Sequence, residues 1–175
     1  NDLEKNLCLR YMNLYEYEGK RLFAESGIAI PKGKTLFSFE EADSAYQELG
    51  SPQVVLKAQV LSGKRGKAGA IRFCSDRESV IKEAATLFSM SVNGQQVVAV
   101  HMEEKLAIAS ETYLSVVWDT NKKQPLLVYS SHGGMDIEDV EDGDIIKIPL
   151  DVRERTLSAG LPAEIASIAE ALYHC

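Results

Sequence analysis

Between residues 54 and 73 two apolar, β-branched runs, VVLKAQV and AIRF, flank the stretch LSGKRGKAG, which carries three glycines and three cations. Such runs read as strands, and the short connection between them reads as an antiparallel hairpin with a flexible, positively charged tip. The first run also holds a lysine, Lys57, four residues in. A lysine in an otherwise apolar strand needs a partner to offset the cost of leaving water.

The flanking sequence fits an α+β chain. Asn13 with Glu16, Ser38 with Glu41 and Ser75 with Glu78 are capping boxes, in which a short polar side chain and a glutamate satisfy free N–H groups at a helix start. They predict helices over about 14–26, 39–49 and 76–90, with Gly27 and Gly50 in the left-handed positions that end the first two. A last helix opens near Pro162. The segments KTLF, QVVLKAQV, AIRF, QQVVAVHM, TYLSVVWD, PLLVYS and DIIKIPL predict strands, and DTNKKQ reads as a hairpin turn. Strands on both sides of short turns imply antiparallel pairing, which argues against a doubly wound sheet.

Glycines 63, 66 and 69 with Lys57, Lys64, Arg65 and Lys67 suit a polyphosphate, because glycine lets N–H groups approach closely and the cations neutralise the anion. The Walker A spacing is absent: only two residues separate Gly63 from Gly66–Lys67, and Ala68 follows. The Rossmann fingerprint fails as well, and both of those loops feed a helix where this one feeds a strand. A strand–loop–strand lid over phosphates is one reading. A solvated surface loop is the other.

Composition narrows the class. The 175 residues are 45% hydrophobic with a formal net charge of −7, enough for a sizeable core. An acidic chain disfavours nucleic acid as the partner of the basic loop. No run approaches the length of a membrane span. Cys8, Cys74 and Cys175 form neither metal nor disulfide spacing, which points to a reducing compartment and the cytoplasm, with each thiol buried or terminal. The acidic DIEDVEDGD lacks EF-hand spacing and reads as a solvated turn. Residues 1–11 read as an extension or cloning scar before a natural start at Met12.

From Met12 onward the chain resembles the β subunit of succinyl-CoA synthetase and its relatives. The resemblance rests on MNLYEYEGKRLFAESGIAIPKG, VVLKAQVLSGKRGKAGAIRF, ETYLSVVWD and SSHGGMDIEDV, in order and at matching intervals. It implies an ATP-grasp fold: a first helix over 12–31 packing on the second lobe, a first lobe over 32–102, and an incomplete second lobe from 103 with the CoA-ligase domain absent. Among the residues, it implies nucleotide contacts from Lys57, from Lys64, Arg65 and Gly66, from Glu103 with Leu106, and from Glu111. Lys64 replaces the glycine usual in the family, and His132 stands where a glutamate is usual. The activity implied is synthesis of succinyl-CoA with ATP or GTP, with Mg²⁺ ligands outside this chain. A phosphohistidine on a partner α subunit carries the phosphoryl group, so His101, His132 and His174 are not candidates for it. Coenzyme A and a carboxylic acid are the other substrates, with citrate or malate as alternatives to succinate. A non-catalytic nucleotide-binding or assembly module is the reading from another class.

Overall fold

The computed structural model describes residues 13–62, 65–134, 137–150 and 163–173. They form two compact units, one of residues 13–21 and 30–106, the other of 22–29 and those from 107 onward.

The first unit opens with helix α1 (Glu16–Glu25), which gives it residues 16–21. Strand β1 (Gly33–Leu36), a 3-10 turn (Phe39–Glu41) and helix α2 (Ala42–Leu49) follow, then β2 (Val54–Gln59), β3 (Ile71–Cys74) and helix α3 (Arg77–Phe88). The short pair β4 (Ser91–Val92) and β5 (Gln95–Gln96) precedes β6 (Ala99–Glu104). The main sheet has the order β1-β6-β2-β3, antiparallel throughout. Its two faces differ in chemistry because successive side chains alternate. Leu36, Val54, Leu56, Ala58, Val100 and Met102 share one face and are buried with Val80, Ala84 and Leu87 of α3 and Ala42 and Ala45 of α2. Those helical positions recur at the three- and four-residue spacing of one helix stripe. The other face carries Thr35, Lys57, Gln59, His101 and Glu103.

The helices start differently from the capping-box expectation. At α1, Tyr15 N–H donates to the Glu18 carboxylate (2.9 Å), so the reach-back glutamate lies two residues beyond Glu16. Ser38 makes no side-chain cap bond; Glu41 does reach back, but to Phe37 N–H at 3.0 Å. At α3 the cap is Asp76, which accepts from Ser79 N–H at 2.8 Å, not Ser75. Each of these helices or turns exists near its expected place. What shifted was the residue whose oxygen faces the free N–H groups. Gly27 and Gly50 do take left-handed φ (83° and 65°). Ile28 N–H donates to Phe23 O and Gly27 N–H to Ala24 O, the paired bonds that close a helix C-terminus.

The second unit is a three-stranded antiparallel sheet, β7 (Tyr113–Asp119), β8 (Gln124–Ser130) and β9 (Ile145–Pro149), with helix α4 (Ala163–Tyr173). Leu127, Ile148, Leu150 and Ala169 form its core, with Leu114 packed against them. Asp119 closes the expected turn by accepting from the N–H groups of Asn121 and Lys122 at 2.9 and 3.1 Å.

The central position of Leu56, fully buried between α3 and β6, sets its expected worth. Leu56→Ala should destabilise the chain by about 2–5 kcal/mol in urea unfolding. Phe73→Ala, at an edge-strand ring that is 68% exposed, should change stability by about 0.5 kcal/mol or less. Equal losses at both positions would contradict the assigned register.

Candidate functional site

The polar face of the first sheet is organised by register. Lys57 lies opposite His101, and Val55 opposite Glu103, so Lys57 and Glu103 are diagonal neighbours on β2 and β6. The Lys57 ammonium contacts Glu103 Oε1 and lies 3.2 Å from Glu16 Oε1. Lys20, one helical turn after Glu16, contacts Glu103 Oε2 and lies 3.1 Å from Glu16 Oε1. Arg65 completes the group: Nη2 donates to Glu16 Oε2 at 2.6 Å and Nη1 to the Ala58 carbonyl at 3.1 Å. Five charged side chains, three cationic and two anionic, thus form one chain of contacts from the loop to β6. Thr35 Oγ1 lies 3.0 Å from His101 Nδ1, and His101 Nε2 is 3.7 Å from Glu103 Oε2. Gln59 donates to Lys57 O (2.9 Å) and accepts from Tyr17 N–H (3.3 Å), tying β2 to α1.

Charge pairing outweighs desolvation at each ionic member whose titration moves. Burial alone would raise the Glu16 carboxyl, yet Lys57, Lys20 and Arg65 bring it down to about 2. Burial would likewise raise Glu103, and hydrogen bonds from Lys20 and Lys57 hold it below its ordinary value. Burial would lower Lys57, but the Glu103 hydrogen bond and the Glu16 and Glu103 charges hold it above its ordinary value, so it stays an ammonium. His101 goes the other way: burial first, then the Lys20 charge, lowers it and favours the neutral ring.

The glycine hairpin is present as expected. β2 and β3 pair from Val54↔Cys74 to Lys57↔Ile71, and Ala58 N–H continues the pairing to Ala70 O at 2.9 Å. The hairpin tip is turned back on itself by Ala70 N–H to Arg65 O and Gly69 N–H to Gly66 O, at 3.0 and 3.1 Å. Beside it opens a cleft of about 600 Å³ lined by Asn13, Leu14, Glu16, Val60, Leu61, Ser62, Arg65, Gly66 and Ile71. That volume is in the range of small-molecule sites. The tip of the hairpin and the ion-pair network therefore meet at Glu16 and Arg65.

Of the residues singled out in the sequence, Lys57, Arg65 and Glu103 join one network and Gly66 lines the cleft beside it. Leu106 follows the end of β6 with its side chain 51% exposed. Glu111 belongs to the second unit, where its carbonyl accepts from Gly133 N–H at 3.0 Å. In the same unit the exposed His132 ring lies 3.9 Å from Asp144. Lys64, Cys8, Cys175 and His174 lie outside the described residues. Cys74 is a buried free thiol. Glu16, Lys20 and His101 were not anticipated as members of the network. The signal for the first two was present: a glutamate and a lysine four apart at a helix start, in a chain whose strand lysine lacked a partner.

Among the described residues no group of three or more His, Cys, Asp or Glu side chains could hold a metal ion. None of the described helices is long and apolar enough to cross a membrane.

An antiparallel sheet with α2 and α3 on one face, and the start of α1 and a glycine hairpin beside clustered cations on the other, defines an α+β domain built around its loop. Residues 13–171 match the ATP-grasp domain, and the chain belongs to that family. Among curated proteins it is 40% identical over 175 residues to the succinate–CoA ligase [ADP-forming] subunit beta of Methanocaldococcus jannaschii, covering 93% of this chain and 47% of that one. It is 34% identical to the subunit of the same name from Aquifex aeolicus, again over 93% and 47%. The chain thus spans about half the length of these relatives. Among solved structures, the dinucleotide-forming acetyl-coenzyme A synthetase 1 of Ca. Korarchaeum cryptofilum superposes with a TM-score of 0.69 at 21% identity, over 98% of this chain and 82% of that one. The ATP citrate lyase of Methanothrix soehngenii gives 0.67 at 19% identity, over 92% and 43%. At those identities the likeness is one of fold.

Glu16 makes the electrostatics of the network measurable. Its folded-state pKa is depressed from the ordinary 4.5 to about 2, so its stabilisation is fully present above about pH 4.5 and is lost as pH falls toward 2. Glu16→Gln should therefore cost about 3 kcal/mol at neutral pH and little near pH 2, read from urea unfolding at both. A stability difference that does not shrink on acidification would show that Glu16 is not held ionised by its cations.

Proposed function

We propose that the chain is the nucleotide-binding portion of an ADP-forming acyl-CoA ligase acting in the cytoplasm. The complete reaction converts succinate, coenzyme A and ATP or GTP to succinyl-CoA, the nucleoside diphosphate and phosphate, by way of a phosphohistidine on an α subunit. The observation that carries the reading is the convergence of Lys57 and Arg65 on Glu16 beside the glycine hairpin, within a chain of the ATP-grasp family. The names of the curated relatives, succinate–CoA ligase [ADP-forming] subunit beta, support succinate as the acid and the beta subunit as the class. The free thiol of Cys74 suits a reducing compartment.

In this reading the cleft beside the hairpin receives the phosphates. Arg65 offers a planar fork suited to phosphate oxygens, and Lys57 offers a compact charge held in place by two carboxylates. Gly66 leaves the backbone N–H groups of the loop open to close approach. Lys64, next to Arg65 in sequence, adds a positive charge. The base and ribose fall to Glu103, Leu106 and Glu111. Both Glu103 oxygens already touch lysines, so its part includes holding Lys57 as an ammonium. Mg²⁺, when bound, screens phosphate charge. The described residues offer it no ligand set.

Lys57→Ala should weaken ATP binding by roughly 1.5–3 kcal/mol, or about ten- to hundredfold in Kd, as removal of a charge-assisted contact does. Calorimetric titration of the folded variant is the measurement. Unchanged affinity would remove Lys57 from the site.

A further inference from the structure

Glu111 and the glycine pair Gly133–Gly134 meet in the second unit, just beyond the last rung of the β7–β8 ladder at Tyr113↔Ser130. Gly133 N–H donates to Glu111 O at 3.0 Å, which draws the segment after β8 back over the residue two before β7. The contact leaves no room for side chains. A Cβ on Gly133 would stand 2.6 Å from both the Glu111 carbonyl carbon and the Thr112 nitrogen. A Cβ on Gly134 would stand 2.3 Å from Glu111 Oε2. The space that a side chain at 134 would fill is the space in which the Glu111 carboxylate lies.

We propose that Gly134, seated by Gly133, is a positioning residue for Glu111: it holds open the place of that carboxylate and so sets how tightly nucleotide is bound. This rests on the reading of Glu111 as a nucleotide-binding side chain. The two glycines act at different levels. At Gly133 the obstruction is backbone, and any substitution must shift the chain. At Gly134 it is the far end of a flexible side chain, so a methyl group swings the carboxylate away and leaves the strands paired. A Cβ at 134 removes this placement from those open to the glutamate, so a ligand that uses it must find the carboxylate elsewhere or move the chain at a cost. Gly134 also sits at φ 73°, in the left-handed region, so a substitution there strains the backbone as well. The test must separate that strain from the loss of position.

A double-mutant cycle on the full chain does so, with ATP affinity read by calorimetry and unfolding followed alongside. Wild type, Gly134→Ala, Glu111→Ala and the double variant are compared. Each single change should loosen ATP about tenfold, and the double variant should bind within about twofold of Glu111→Ala alone. Gly134→Asn carries the same Cβ on a residue that adopts left-handed φ more readily, and it replaces the alanine variant if that one does not fold. A hundredfold loss in the double variant would mean that Gly134 acts independently of Glu111, and the proposal falls. It falls equally if either single variant binds ATP as wild type does. Failure of the wild-type chain to bind ATP is a different result, because it overturns the nucleotide reading itself.

Discussion

Lys57 is carried by a strand whose neighbours on either side of it in sequence are buried and apolar, and its ammonium lies in a half-buried setting where an unpaired charge would be costly. Much of the polar face follows from that. Glu103 must stand one register step from the residue opposite Lys57, which fixes β6 against β2. Glu16 must come within reach, so the first helix has to begin over this face of the sheet. Arg65 must turn back to Glu16, which folds the hairpin tip toward the helix. These groups are separated by 41, 49 and 83 residues along the chain. Local sequence preference cannot bring them together. Burial of the opposite face of the sheet sets the register that brings Lys57 and Glu103 together, and the first helix and the loop then add Glu16, Lys20 and Arg65.

The alternation of small side-chain classes made the strands legible. In β2 the residues facing the helices are apolar and those facing away are Val55, Lys57 and Gln59, so both the strand and its odd lysine could be read directly. The need for a partner to Lys57 was also readable. Its identity was not, because Glu16 lies on a helix start far away in sequence, where the local pattern assigned it to a cap. The structure resolves that competition in favour of the long-range charges: Glu18 takes the backbone N–H, and Glu16 turns to three cations. The same kind of local ambiguity decided Asp76 over Ser75, two adjacent side chains that both suit a helix start. Glycines in left-handed positions were easier, since Gly27 and Gly50 each follow a helical pattern with no competing residue nearby.

The two units show different styles of specification. The first is held by a broad apolar cluster on one sheet face and by an ionic network on the other. The second has a smaller core, and its detail lies in backbone contacts: the Asp119 turn and the approach of Gly133 to Glu111. A substitution in the first unit is therefore felt through charge or volume. In the second, at Asp119 and Gly133, it is felt through the path of the chain.

Glu16 gives the cleft a property that a count of its cations would miss. Arg65 at its wall and Lys57 behind it already hold the Glu16 carboxylate, so a polyphosphate bound there, as proposed above, would exchange with a tethered anion. Exchange of one anion for another would change the net charge at the site less than filling a bare cationic surface does, and screening by salt acts through that change in charge. The displaced carboxylate would keep Lys20, its neighbour one turn along the same helix. A site that carries its own exchangeable anion would in this way be buffered against the ionic strength around it.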